Sequence, residues 1–135
     1  MSELKHTSND VLRARSSQNT ISVSGSIDTN QAGQEFNIAT DALTITLPKI
    51  ESHNLGMEFT FRNTGADANN IITLSPNAAD AFHGTVAAVQ AGGVDNKDWI
   101  NTKATANKGD WCSIKAVALT DWYLTGGDGV WASES

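Results

Sequence analysis

A chain of 135 residues fits one domain, because a domain of that size buries roughly two-thirds of its unfolded surface and folds without a covalent staple. The formal net charge of −6 excludes a surface built to neutralise phosphates, which needs a Lys/Arg-rich face, so nucleic acid is not an expected partner. The single cysteine, Cys112, excludes an intramolecular disulfide and is compatible with folding in a reducing cytoplasm.

Residues 1–20 are polar, with Leu4, Val11 and Leu12 as their apolar anchors, and they read as an extended N-terminal arm. They contain no apolar run of signal-peptide length, and no run anywhere is long enough to cross a bilayer, so a soluble protein without a membrane partner is expected. Lys5, Arg13 and Arg15 outnumber Glu3 and Asp10, so a slightly basic arm precedes an acidic body. From Thr20 the pattern changes. Ile21, Val23 and Ile27 alternate with Ser22, Ser24 and Ser26, the period of a half-buried strand, and residues 21–135 are assigned to a single β-sandwich domain.

Phe36 and Ile38 mark the next strand. Leu43, Ile45 and Leu47 then alternate with Thr44 and Thr46 until Pro48, which lacks a ladder donor. Met57, Phe59 and Phe61 share one face of a strand that turns at Asn63-Thr64-Gly65. Ile72 and Leu74 lie in a strand ending at Ser75-Pro76. Residues 81–89 read as one strand, or two short ones broken at Gly84, and residues 86–96 as a low-bulk loop or lightly packed strand. Residues 99–105 and 111–117 are expected to form a hairpin turning at Lys108-Gly109-Asp110, with Cys112, Ile114 and Ala116 on one side. A strand over residues 121–125 and a glycine-rich turn at residues 126–129 lead to a terminal strand over 130–132. Eight to ten short strands without a helical period define an all-β fold. A jelly-roll-like β-sandwich with an extended N-terminal arm is the preferred arrangement, with an immunoglobulin-like sandwich or another barrel as alternatives.

Catalytic chemistry finds little support. His6, His53 and His83 are far apart and form no metal-ligand spacing, so no metal or cofactor is expected. No G-x-S-x-G turn announces a nucleophile, and Cys112, in mid-strand, reads as a small buried hydrophobe. Asp67, Asp110 and Asp128 fall at expected turns, where a carboxylate bonds its own backbone or faces water. The glycines at 126–129 lie between strands and precede no helix, so they are no phosphate cradle. The expectation is a protein that is not an enzyme. Trp99, Trp111, Trp122 and Trp131 all fall in the last third, beside Tyr123. They either build one end of the core, the favoured reading, or form a sugar-stacking platform.

Several stretches, in this order and spacing, carry a resemblance: LTITLP at 43–48, FTFRNTG at 59–65, ITLSP at 72–76, INTKATA at 100–106, KGDW at 108–111, and Trp122-Tyr123 leading to GVWA at 129–132. Together they resemble a β-rich structural module of tailed-phage and related virus particles, found in capsid decoration (cement) proteins and in tail-fibre or appendage proteins. The resemblance implies a β-sandwich that commonly works as a trimer and brings no catalytic residues. The module's usual form has a longer turn before the Trp-Tyr pair, often with Gly and Asn, whereas residues 118–121 (ALTD) are glycine-free here. A tail fibre has a long shaft, and this sequence offers only its short arm ahead of the body, which suits a decoration protein. The expectation is a homotrimer that binds and stabilises the assembled shell of the major capsid protein. Its arm residues Leu4, Val11, Leu12, Arg13 and Arg15 would contact capsid subunits on the virion surface, after assembly in the host cytoplasm. The alternative is a receptor- or carbohydrate-binding head of a tail fibre or capsid appendage, with Trp99 and Trp131 stacking on a host glycan.

Overall fold

The computed structural model describes residues 18–134. Thirteen short strands in this span form two main sheets and one small hairpin. The first six are β1 (Gln18–Ile21), β2 (Gly25–Ser26), β3 (Glu35–Ile38), β4 (Leu43–Thr46), β5 (Glu58–Asn63) and β6 (Ile72–Ser75). They alternate strictly between the sheets: β1, β3 and β5 pair in parallel in sheet A, and β2, β4 and β6 pair in parallel in sheet B. The first half of the body is therefore three turns of a two-sided coil. Its register stacks like on like, with Phe36 beside Phe61, Ile21 beside Ile38, and Ile45 beside Leu74.

The second half closes this coil. Strand β7 (Ala81–His83) takes the far edge of sheet A, and β8 (Thr85–Val86) and β9 (Val89–Gln90) form the small hairpin. Strand β10 (Trp99–Asn101) pairs with β6 in sheet B; β11 (Trp111–Ala118) and β12 (Asp121–Asp128) fill sheet A between β5 and β7; β13 (Trp131–Ser133) ends sheet B. Sheet A thus runs β1-β3-β5-β11-β12-β7 and sheet B runs β13-β10-β6-β4-β2.

The core lies between the sheets. Sheet A contributes Phe36, Phe59, Phe61, Ile114 and Trp122, and sheet B contributes Ile45, Ile72, Leu74, Trp99 and Trp131, each essentially without exposure. Phe36 stacks on Phe61 at 5.6 Å between centroids, and Phe59 leans on Trp122 at 6.1 Å. Large rings bury the most apolar area per residue, so a chain with a lean apolar fraction closes its core by placing them here.

The all-β reading holds, while the pairing departs from a jelly roll, whose strands are antiparallel. Half of the ten strand pairings are parallel. Three local expectations are also corrected. The strand read over Ile21, Val23 and Ile27 is a corner: β1 begins at Gln18, the chain crosses sheets after Ile21, and Val23 is left exposed. The hairpin expected between residues 99–105 and 111–117 does not form, because β10 and β11 lie in opposite sheets, joined across one end of the sandwich by a 3-10 turn at Lys103–Thr105. The glycines Gly126 and Gly127 continue β12, and the reversal comes at Gly129.

Candidate functional site

The candidate arm residues Leu4, Val11, Leu12, Arg13 and Arg15 lie outside the described residues. The chain enters the body at β1, an edge strand of sheet A bonded on one side to β3.

Trp99 and Trp131 are corrected from a stacking surface to a core pair. Alternation along β10 and β13 turns both rings inward, where they stack on each other at 6.4 Å and 9° with 0% exposure, so neither offers a face to a sugar. The Trp131 indole donates to Asp128 O at 3.1 Å, whereas among the described residues Trp122 Nε1 is buried without a partner and Trp99 Nε1 has only the Cys112 thiol to turn to. The aromatic rings that do reach the surface are Trp111, partly buried, and Tyr123, 38% exposed. Lys115 pairs with Tyr123 and lies four residues from Trp111, so both rings share the outer face of sheet A, about 13 Å apart along the strand. Polar groups fill that face. Arg62 donates to Glu35 at 3.0 Å and lies 5.8 Å from the Trp111 ring centre; Thr60 and Ser113 share a hydroxyl hydrogen bond of 2.5 Å; His83 pairs with Asp121 at 2.9 Å and stacks on Tyr123. The sequence signal for this face is the outward half of each alternation, in which Trp111 and Tyr123 fall.

One end of the sandwich is tied by a buried polar network. Asn63 Nδ2 donates to Asn101 Oδ1 at 2.9 Å, Asn70 Nδ2 to Asn63 Oδ1 at 3.3 Å, and Asn101 Nδ2 to both Asp110 Oδ2 and Val130 O. Asp110 also accepts the Asn107 N–H at 2.9 Å. Asp110 was expected at a turn, bonding its own backbone or facing water; it does bond the Asn107 backbone, and it is buried rather than facing water, because the crossing from β10 to β11 passes over the end of the core and its backbone needs internal partners. Gly129 is required there: it has φ +95°, and a Cβ would sit 2.2 Å from the Asp110 carboxyl carbon. On the rim of this end, Lys103 pairs with Asp41, whose carboxyl is held below its ordinary value by that bond and by the Ile71 N–H.

The opposite end buries Asp80. One carboxylate oxygen accepts the Ile50 N–H at 3.1 Å and the other has no partner among the described residues; burial pushes this carboxyl up, against the Ile50 bond and Lys49, with Asp95 and Asp121 adding to the shift. Cys112 faces the core beside Ile114; burial raises its thiol to about 12, against a smaller pull from the Trp99 indole, so little thiolate is present at neutral pH. Among the described residues no group of three or more His, Cys, Asp or Glu is arranged to hold a metal ion.

No protein-family model matches the chain, and a search of curated proteins finds no match. The class that the geometry defines is an all-β domain with a coiled first half, one polar-tied end and one polar outer face.

Proposed function

We propose that this chain is a virion structural protein, a capsid decoration (cement) protein that binds the assembled shell as a homotrimer and stabilises it. The observation that carries the reading is where the phage-like stretches fall. LTITLP, FTFRNTG and ITLSP supply the consecutive strands β4, β5 and β6, two in sheet B and one in sheet A, and INTKATA, KGDW and GVWA supply the crossing and turn that hold Asn101, Asp110 and Gly129. The resemblance thus covers the scaffold of the body, and the basic arm ahead of the edge strand supplies the reach across capsid subunits. A protein that binds only the assembled shell stabilises it by mass action.

The test is co-sedimentation of the full chain with expanded, undecorated shells of its parent phage. Saturable binding is expected, together with a light-scattering mass of three chains. Removing residues 1–17 leaves β1 in place and is expected to give a folded protein that no longer decorates shells. Full occupancy by that truncated protein would sink the role given to the arm.

A second reading, a receptor- or carbohydrate-binding head of a tail fibre or appendage, is supported by Trp111 and Tyr123 on the polar face of sheet A. Aromatic faces flanked by hydrogen-bonding groups suit sugar rings. It expects host polysaccharide to change the tryptophan fluorescence in a way that Trp111→Ala abolishes. An unchanged spectrum at saturating polysaccharide counts against it.

A further inference from the structure

The β11–β12 hairpin ends in a tip that projects apolar side chains into water. Val117 falls where the register slips between Ala116 and Ala118, so it is the extra residue of a bulge, and it is 54% exposed. Leu119 occupies the two-residue turn and is 55% exposed; Thr120 beside it has φ +66°. A β-branched residue at positive φ is strained, and bulges commonly re-aim a side chain. A second bulge brings Leu55, 43% exposed, alongside. Gly56 at φ +94° donates to Ala116 O while Ala116 N–H donates to Met57 O, so two residues oppose one. Three exposed aliphatic residues thus lie on turned or bulged backbone at the same end of the sandwich, opposite the buried asparagine network.

Acidic groups rim this tip. Glu58 lies opposite Lys115 on the neighbouring strand, Asp121 closes the hairpin opposite Ala118, Glu51 precedes Leu55 in the same loop, and Asp95 and Asp121 both act on Asp80, whose following residue donates to Thr120 O. The basic residues nearby are Lys49, Lys115 and, two residues after Asp95, Lys97, with His53 beside Glu51 at 3.5 Å and His83 beside Asp121 at 2.9 Å. A second copy presenting the same end would set like charges against each other, in a chain whose net charge is already −6.

We propose that the hairpin tip formed by Leu55, Val117 and Leu119 is a docking knob for a different protein, one that offers an apolar hollow rimmed by lysine or arginine. The proposal rests on the decoration reading for the identity of that protein, the capsid subunit, and on the local charge for its chemistry. Exposed aliphatic side chains lose water in the hollow, and the acidic rim selects the partner and its orientation.

The test compares the full-length protein with the double variant Val117→Ser, Leu119→Ser and with Glu51→Lys, Glu58→Lys, each titrated against expanded, undecorated shells of the parent phage at low and high salt. Both variants alter exposed side chains, so the fold and the oligomer mass are expected to stay as in the unaltered protein, with only a small fall in the unfolding midpoint of the lysine variant, which sets a second cation opposite Lys115. Affinity for shells is expected to fall about tenfold or more in the serine variant. The lysine variant is expected to bind more weakly and to lose the salt sensitivity of the parent. Tight binding by both variants, with the unaltered protein also bound, overturns the knob and leaves the decoration reading intact. Absence of binding by the unaltered protein overturns both. Loss of oligomer mass in the serine variant would make the tip a contact between copies and would also overturn the proposal.

Discussion

At one end of the sandwich Asp110 is surrounded by donors from Asn101 and the Asn107 backbone, while at the other Asp80 keeps one oxygen bonded to Ile50 and the other buried without a partner among the described residues. The two carboxylates are almost equally hidden from water. The contrast teaches where this chain invests in order. The network end must secure the long crossing between sheets, residues 64–71 and the turn at Gly129, and asparagines that both donate and accept can join all three. The Asp80 end gathers short connections held by single backbone bonds, such as Ala81 N to Thr120 O and Asn96 N to Asp80 O. It is also the end that carries the exposed hairpin tip.

The largest change that would break this contrast is Asn101→Ala. It strips the link among Asn63, Asp110 and Val130 and leaves buried groups unpaired, so urea unfolding is expected to show a loss of about 3 kcal/mol. A loss below about 1 kcal/mol would mean that the network is not what ties this end. Gly129→Ala follows, at about 2 kcal/mol or more, because the added methyl meets the Asp110 carboxylate and the backbone at φ +95° disfavours a side chain.

At the other end the expected sign reverses. Asp80→Asn removes a buried charge and should stabilise the protein at neutral pH by on the order of 1 kcal/mol. The folded-state value of Asp80 lies above the ordinary 3.8, so the folded protein holds this proton more tightly than the unfolded chain. Its stabilising effect is therefore lost as pH rises from about 3.8 through the folded value, and the advantage of the asparagine variant should appear over that window and vanish below it. Thermal melts of both proteins across pH 3 to 7 measure this, and parallel curves would show that Asp80 is not the group responsible.

A smaller gain is expected in the β8–β9 turn, where Ala87 and Ala88 sit at φ +48° and +68°, the geometry that Asn-Gly adopts readily. Replacing the pair by Asn-Gly should raise stability by about 1 kcal/mol or somewhat less. Lys103→Ala, which releases the exposed partner of Asp41, should move the denaturation midpoint least of all, and what shift it gives should disappear in added salt.

Local pattern located most of the buried faces. Leu43, Ile45 and Leu47, then Phe59 and Phe61, then Ile72 and Leu74 point inward as their alternation requires, because a period of two fixes which side of a pleated strand is apolar. Alternation does not say which sheet a strand joins. Residues 99–105 and 111–117 look like a hairpin in sequence, and only the packing of Trp99 and Asn101 against sheet B separates them. The aromatic surface was misplaced for a related reason: an indole at an inward position and one at an outward position carry the same letter, and the register of the whole sheet decides between Trp131 and Trp111.

The sequence by itself determined that this chain is β-rich, that its first half repeats short apolar strands, and that Cys112 is a core residue, since each follows from side-chain period and residue type within a few positions. Only the tertiary structure decided that like strands stack in parallel through three turns, that Asp110 is buried while Tyr123 is not, and that a glycine-free turn lifts Val117 and Leu119 into water. Those outcomes depend on partners many residues away, and no local pattern encodes which distant group will supply a hydrogen bond or cover a ring.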